Sequence, residues 1–121
     1  MARVRDVMRR DALTVGKDAR VHEVAGLVEG GRRAVVVDGE GRPIGLFGEE
    51  DLEYARRRGL ERAPVWMVMA EDPLTAREDE PLERALRRME EAGLDIMPVV
   101  DGRGRLVGVL QPEAEAVPAA R

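Results

Sequence analysis

The feature that most constrains the fold of this chain is an internal duplication. The segments Ala34-Val-Val-Val-Asp38 and Gly45-Leu-Phe47 return 63 residues later as Met97-Pro-Val-Val-Asp101 and Gly108-Val-Leu110. A set of apolar positions upstream of them returns 61 residues later in each case. These positions are Val21, Val24, Ala25 and Val28 in the first copy, and Leu82, Ala85, Leu86 and Met89 in the second. Two copies of one supersecondary unit are therefore predicted.

Each copy contains the pattern of a β-hairpin, and in the first copy a helix follows it. The run Ala34–Val37 is mostly β-branched, which suits a buried strand. Asp38-Gly39 begins a turn in which glycine tolerates φ > 0, so the residues from 44 to 47 can return antiparallel. The acidic residues 49–51 come next, where carboxylates favour a helix N-terminus. We therefore predict a helix over about 49–58.

The segments that precede each hairpin are predicted from their periodicity. Asp18 is expected to cap a helix whose apolar stripe begins at Val21, and Gly30-Gly31 is expected to end that helix. A short helix is expected over residues 4–8, and residues 64–69 occupy the matching place before the second copy. We call these two segments the lead-in segments of the repeats.

The composition excludes several classes of function. The chain has 2% aromatic residues, a net charge of −4 and no basic stripe, which argues against stacking on nucleic-acid bases. It has no cysteine for disulfides or thiolate metal sites, and its single histidine, His22, lacks a second ligand of that kind. No apolar run approaches the roughly 20 residues of a membrane span. We therefore expect a cytoplasmic protein without a nucleic-acid or membrane partner.

The duplicated residues resemble the cystathionine-β-synthase (CBS) domain, and the tandem copies resemble the CBS pair called a Bateman module. In the first copy the resemblance rests on Val7-Met8, Leu13-Thr14-Val15, Ala34–Asp38 and Gly45–Leu52. In the second copy it rests on Val68-Met69, Leu74-Thr75, Met97–Asp101 and Gly108–Leu110. It implies an α/β fold of two β-α-β-β-α repeats packed about a pseudo-twofold axis. The repeats are expected at about 3–60 and 64–115, with 116–121 as a frayed tail.

The resemblance also implies clefts between the repeats that bind an adenosine-containing ligand, namely AMP, ADP, ATP or S-adenosylmethionine. Asp51 matches the aspartate that binds the ribose hydroxyls in the family, and a carboxylate can accept both hydroxyl protons. Arg33 matches a position from which basic residues of related modules bind phosphate. The alternative interpretations are that Asp51 only stabilises its own helix and that Arg33 is an ordinary surface residue.

Two residues of the same motif bear on the choice of ligand. Gly48 stands where the family has serine or threonine, so a usual hydroxyl contact is missing. Glu50 would repel a long phosphate chain. It therefore favours a short phosphate chain, or the cationic sulfonium of S-adenosylmethionine, over ATP.

The resemblance implies a second wall for this cleft, contributed by the other repeat. The matching positions, which hold adenine by backbone bonds and apolar contacts, are Thr75, Leu94, Asp95 and Ile96. The alternative for Thr75 is a threonine at a strand edge. The second cleft has Ala114 at the aspartate position and Gln111 at the hydroxyl position, and it keeps Thr14 as its main polar residue. We expect this cleft to be empty or weak.

The leading hypothesis is a non-enzymatic regulatory module that binds an adenosine-type ligand and requires no cofactor or metal. The resemblance implies a homodimer, and we expect an effector protein that acts in trans. The alternative is an interaction scaffold that dimerises after its nucleotide site has decayed. A third class, a small hydrolase, would need an acid–base pair that the sequence does not show.

Overall fold

The computed structural model describes residues 1–112, which form two compact units that each combine helices and strands. The contiguous unit is Ala12–Pro73, and the split unit joins Met1–Asp11 to the chain from Leu74 onwards. The mixed α/β class expected from the sequence is confirmed. In chain order the elements are α1 Val4–Val7, β1 Thr14–Gly16, α2 Val21–Val28, β2 Ala34–Val37, β3 Pro43–Phe47, α3 Glu49–Arg57, a 3₁₀ helix Val65–Met67, β4 Ala70–Glu71, β5 Ala76–Arg77, α4 Leu82–Ala92, β6 Met97–Val100 and β7 Leu106–Leu110.

The contiguous unit is a four-stranded sheet, in the order β1-β2-β3-β4, with α2 and α3 packed against it. Strand β1 pairs parallel with β2, and the other pairs are antiparallel. The apolar stripe of α2 is confirmed, because Val21, Val24 and Val28 are buried in one core with Leu52 and Ala55 of α3. The hairpin of β2 and β3 therefore places the start of α3 beside the end of α2.

The predicted cap of α2 is wrong. The helix begins after Arg20, whose backbone N–H donates to the Glu23 carboxylate at 2.9 Å. Asp18 instead forms an exposed ion pair with Lys17. The Glu23 side chain, in the third position of the helix, thus accepts the backbone N–H of Arg20, the residue before the helix. This hydrogen bond is one of the two that make up a capping box.

The split unit contains the three-stranded sheet β5-β6-β7, and α4 packs on it through Ala85 and Met89. Its core also contains Val4 of α1, which is fully buried. The N–H of Val4 donates to the carbonyl of Glu80 at 3.0 Å. The lead-in segment of the first repeat therefore belongs to the unit that holds the second repeat.

The other lead-in segment belongs to the contiguous unit in the same way. The N–H of Val65 donates to the carbonyl of Ala19 at 2.8 Å, and that of Val21 donates to the carbonyl of Ala63 at 2.9 Å. This segment forms a 3₁₀ helix and then β4, a two-residue strand that the sequence did not predict. The two lead-in segments are therefore exchanged between the units.

A glycine in each hairpin makes room for the exchanged segment. A Cβ built on Gly45 would lie 2.8 Å from Cγ of Met69, and one built on Gly108 would lie 2.7 Å from the carbonyl oxygen of Arg9. At Gly108 the obstructing atom is a backbone carbonyl, so only glycine fits there, whereas at Gly45 the Met69 side chain would have to move to admit a Cβ. The duplicated glycines thus have a packing role.

The helix expected after β7, and the tail, lie outside the described residues. Within residues 1–112 no helix is both long and apolar enough to cross a membrane.

Candidate functional site

A polar depression of about 150 Å³ lies at the N-terminal end of α3 in the contiguous unit. The turn after α2 supplies one side of it, the residue before β2 supplies a cation, and the first turn of α3 supplies carboxylates. Its lining residues are Gly31, Arg33, Gly48, Glu49, Glu50 and Asp51. Drug-sized ligands occupy cavities of about 300 Å³ or more, so this depression fits a ribose or a phosphate group rather than a whole nucleotide.

Asp51 is held in place by the backbone of its own helix. Gly48 is the residue before the first turn of α3, and its N–H donates to Oδ2 of Asp51 at 2.9 Å. The Arg33 charge also acts on this carboxylate. Oδ2 is therefore used in helix capping, and the lone pairs of Oδ1 are of the kind that accept a hydrogen bond from a ligand hydroxyl.

The pKa of Asp51 is raised above its ordinary value of 3.8. Burial is the main cause, and the neighbouring Glu50 charge acts in the same direction. The N–H of Gly48 and the charge of Arg33 lower the pKa but do not cancel the effect of burial. A half-buried carboxyl with a perturbed pKa and a cation beside it is typical of functional sites.

Gly48 lets the Arg33 side chain lie across the start of α3. A Cβ built on Gly48 would lie 3.1 Å from Cγ of Arg33, and 3.7 Å from its Cδ and Nε. The backbone of Gly48 is extended, with φ −133, so any residue could adopt its conformation. The constraint is therefore the space occupied by Arg33, and the missing family hydroxyl coincides with this arginine.

Two lining residues were not predicted as site residues, Gly31 and Glu49. The Glu49 carboxylate accepts the N–H of Gly30 at 3.1 Å, which ties the turn after α2 to the start of α3. Gly31 has φ +94, a conformation that favours glycine. The Gly30-Gly31 pair was visible in the sequence, but it was interpreted only as a helix end because its distance from α3 depends on tertiary structure.

The structure thus brings together Arg33, Gly48, Glu50 and Asp51, four of the predicted ligand residues. The remaining predicted residues for this cleft belong to the split unit. The carbonyl of Thr75 accepts from Arg88 at 3.0 Å, and the N–H of Leu94 donates to the carbonyl of Met89. Asp95 is exposed, whereas Ile96 is only 3% exposed. Their role in binding stays a prediction.

Other predicted polar residues have local partners. The exposed Thr14 donates its hydroxyl to the carbonyl of Ala12 at 3.1 Å. Nδ1 of His22 lies 3.0 Å from the carbonyl oxygen of Glu61. Over residues 1–112, no group of three or more histidine, aspartate and glutamate side chains is arranged to hold a metal ion.

Comparison with known proteins finds the same architecture. A protein-family model described as "CBS domain" matches residues 4–58 and again residues 62–111. Homoserine O-acetyltransferase of Methanococcoides burtonii is 31% identical over 112 residues, which are 91% of this chain and 22% of that protein. The chain thus spans about a fifth of the length of the curated relatives it matches first.

Two solved structures superpose on nearly the whole chain. CBSX2 in complex with AMP is 26% identical, with a TM-score of 0.79 and 98% coverage of both chains. The CBS domain pair of protein MJ0100, in complex with 5′-methylthioadenosine and S-adenosyl-L-methionine, is 22% identical. It has a TM-score of 0.78, with 98% of this chain and 99% of that chain covered. At that identity the second likeness is evidence of the fold alone.

Proposed function

The chain belongs to the CBS domain family, and from this premise we propose that it is a regulatory module that binds an adenosine-type ligand. The observation that carries the proposal is the half-buried Asp51, which caps α3 through Oδ2 and lines the same depression as the cationic Arg33. A ribose diol supplies two hydroxyl donors, which match a carboxylate acceptor. The depression at α3 is the proposed position of the ribose and its phosphate.

The charges of the depression narrow the ligand class. Arg33 is the one cation among its lining residues, while Glu49 and Glu50 are acidic. A guanidinium binds a phosphate through paired hydrogen bonds, but two added carboxylates would repel a long phosphate chain. We propose a ligand with a short phosphate chain, such as AMP, or a cationic one, such as S-adenosylmethionine. The structure of CBSX2 in complex with AMP supports the first of these classes.

We also propose that the module has no catalytic activity of its own. The relatives named as homoserine O-acetyltransferases extend far beyond the matched region, because this chain covers only 22% of their length. That matched region is also the part that the CBS domain model recognises here. The proposed role is ligand-dependent control of another protein, exerted by a homodimer through a change in the population of conformers.

A thermal-shift panel tests the proposal with wild type, Asp51→Asn and Glu53→Gln against AMP, ADP, ATP, S-adenosylmethionine and NAD. Asparagine still offers an oxygen to the N–H of Gly48, so the variant keeps the helix cap but loses the charge. Glu53 is an exposed carboxylate on the same helix and serves as the matched control. A ligand at 100 times its Kd stabilises the folded chain by about 2.7 kcal/mol, which raises the midpoint by several degrees.

The expected result is that one adenosine compound stabilises wild type and Glu53→Gln but not Asp51→Asn. A Thr75→Val variant in the same assay tests the predicted contribution of the split unit. If no compound stabilises the folded wild type, the ligand proposal fails and the alternative of a dimerisation scaffold takes its place.

A further inference from the structure

The split unit carries an apolar groove of about 250 Å³, separate from the depression at α3. We call it the α4 groove. Val7, whose side chain is 44% exposed, and the half-buried Leu82 and Leu86 form much of its wall. Arg9, Leu110, Gln111 and Pro112 also line it.

The corresponding residues of the contiguous unit show what kind of element packs on a groove of this kind. By repeat position, Val7, Leu82 and Leu110 correspond to Val68, Val21 and Phe47 of the contiguous unit. Those three residues are at most 7% exposed and lie in one core with two residues of α3. The two α3 residues are Leu52 and Ala55. A helix with leucine and alanine three positions apart thus fills the equivalent space in the contiguous unit.

The residues that follow β7 in this chain do not offer that pair. At the repeat positions of Leu52 and Ala55 the sequence has Glu115 and Pro118. Burying a carboxylate against leucine costs several kcal/mol unless it is paired, and proline within a helix removes a backbone hydrogen bond. At this register the residues after β7 therefore do not supply the apolar pair that α3 supplies in the contiguous unit.

The groove also has a charge that its counterpart lacks. Arg9 corresponds by repeat position to Ala70. Its side chain is 55% exposed and pairs with the exposed Asp11 at 3.4 Å, a contact weak enough for a competing carboxylate to replace. A bound helix with an acidic residue beside its apolar face would complement the positive charge of Arg9.

We propose that the α4 groove binds a short amphipathic helix of a partner protein, with leucine and a small residue three positions apart and a carboxylate near Arg9. This inference does not depend on the adenosine site. The partner helix would take the place in the split unit that α3 takes in the contiguous unit.

The test uses the full chain and a peptide of residues 48–59, the sequence of α3, as the probe. Because isolated helices of this length are marginal in water, a hydrocarbon staple joins positions 53 and 57, which are both exposed in the protein. Fluorescence anisotropy measures affinity, and methyl chemical shifts of Leu82 and Leu86 locate the binding. We expect saturable binding that shifts these methyl signals and disappears for a peptide carrying Leu52→Asp.

Matched variants of the protein separate the groove from general hydrophobicity. Val7→Asp changes a groove residue, whereas Leu27→Asp changes a residue of α2 outside the groove with nearly the same exposure, 42%. We expect Val7→Asp to weaken binding at least about tenfold and Leu27→Asp to leave it unchanged. Arg9→Ala, which alters only an exposed side chain, should weaken binding several-fold and supplies a second variant if Val7→Asp unfolds the chain.

Three results would overturn the proposal. The first is the absence of saturable binding to the full chain. The second is binding that appears only after residues 113–121 are deleted, which would assign the groove to the chain's own continuation. The third is self-association that Val7→Asp abolishes and Leu27→Asp does not, which would assign the groove to a second copy.

Discussion

At the scale of single residues, Asp51 combines a structural role with a costly charge. Burial raises its pKa, so the ionised form is less favourable in the folded chain than in the unfolded one. The stability that this group contributes is therefore complete at low pH and is lost as pH rises through the raised pKa. A carboxylate kept in place despite this cost is expected where its charge has a function.

The raised pKa of Asp51 predicts how ligand binding depends on pH. Only the ionised form accepts both ribose hydroxyls, so affinity should fall as pH decreases through the raised pKa. The decrease should begin at a higher pH than the ordinary value of 3.8 would give. Isothermal titration calorimetry from pH 7 to pH 4 measures this, and the same decrease in Asp51→Asn would contradict the assignment.

A second prediction concerns the contact between Gly48 and Arg33. Gly48→Ala should leave the thermal midpoint nearly unchanged, because φ −133 suits any residue, but the new Cβ should displace the arginine side chain. AMP affinity should then fall several-fold while adenosine affinity stays constant. Gly39→Ala serves as the control, since nothing lies within 4 Å of a Cβ there. Equal effects on AMP and adenosine would mean that Arg33 does not bind the phosphate.

At the scale of secondary-structure elements, the two hairpins have the same turn. Oδ1 of Asp38 accepts the N–H groups of Glu40 and Arg42 at 2.9 and 3.0 Å. Oδ1 of Asp101 accepts those of Arg103 and Arg105 at 2.8 and 3.0 Å. These backbone hydrogen bonds are the main cause of the lowered pKa of both aspartates. Each turn is thus fixed by one carboxylate.

Replacing either turn aspartate should destabilise the chain in a way that depends on pH. Asp38→Ala and Asp101→Ala each remove two accepted hydrogen bonds. Because the folded pKa is lowered, the stabilisation is complete above the unfolded value and is lost as pH falls through the folded one. Urea unfolding at pH 7 and pH 3 should show a difference from wild type that narrows in acid. Asp18→Ala is the exposed control, and an equal loss in that variant would contradict the prediction.

Elements whose apolar residues recur at regular spacing were predictable from the sequence. Elements that form only because they pair with a distant part of the chain were not. The strands of both hairpins and the stripes of α2 and α4 repeat their apolar positions, so one copy supports the other. Strand β4 has two exposed residues and exists only because it pairs with β3. Likewise Asp51 and Arg33 were predicted from their motif, whereas Glu49 was not, because its bond to Gly30 joins two elements.

At the scale of the whole chain, the main finding is the exchange of lead-in segments. The family model follows the sequence repeats, 4–58 and 62–111, but the compact units do not. Val4 lies at the start of the first repeat and is fully buried in the core of the split unit. Val65 lies near the start of the second repeat and is fully buried in the core of the contiguous unit. A repeat cut out at its sequence boundaries would lack part of its core.

This exchange predicts that two matched substitutions destabilise different units. Val4→Ala should cost about 2 kcal/mol by leaving a cavity in the split unit, and Val65→Ala should do the same in the contiguous unit. Hydrogen exchange locates the effects. Val4→Ala should lower protection of Val99 more than that of Val36, and Val65→Ala should reverse the order. Equal losses at both sites in both variants would contradict separate units.

The exchanged segments also affect the order in which the chain can fold during synthesis. Residues 1–11 leave the ribosome before their partners, which begin at Leu74, after the 62 residues of the contiguous unit. At about 5 to 20 residues per second, this interval lasts roughly 3 to 12 s. The contiguous unit has its whole core by then and can close, while the segment containing Val4 still has its apolar side chains in water. Residues 1–11 are therefore made before the contiguous unit but buried after it.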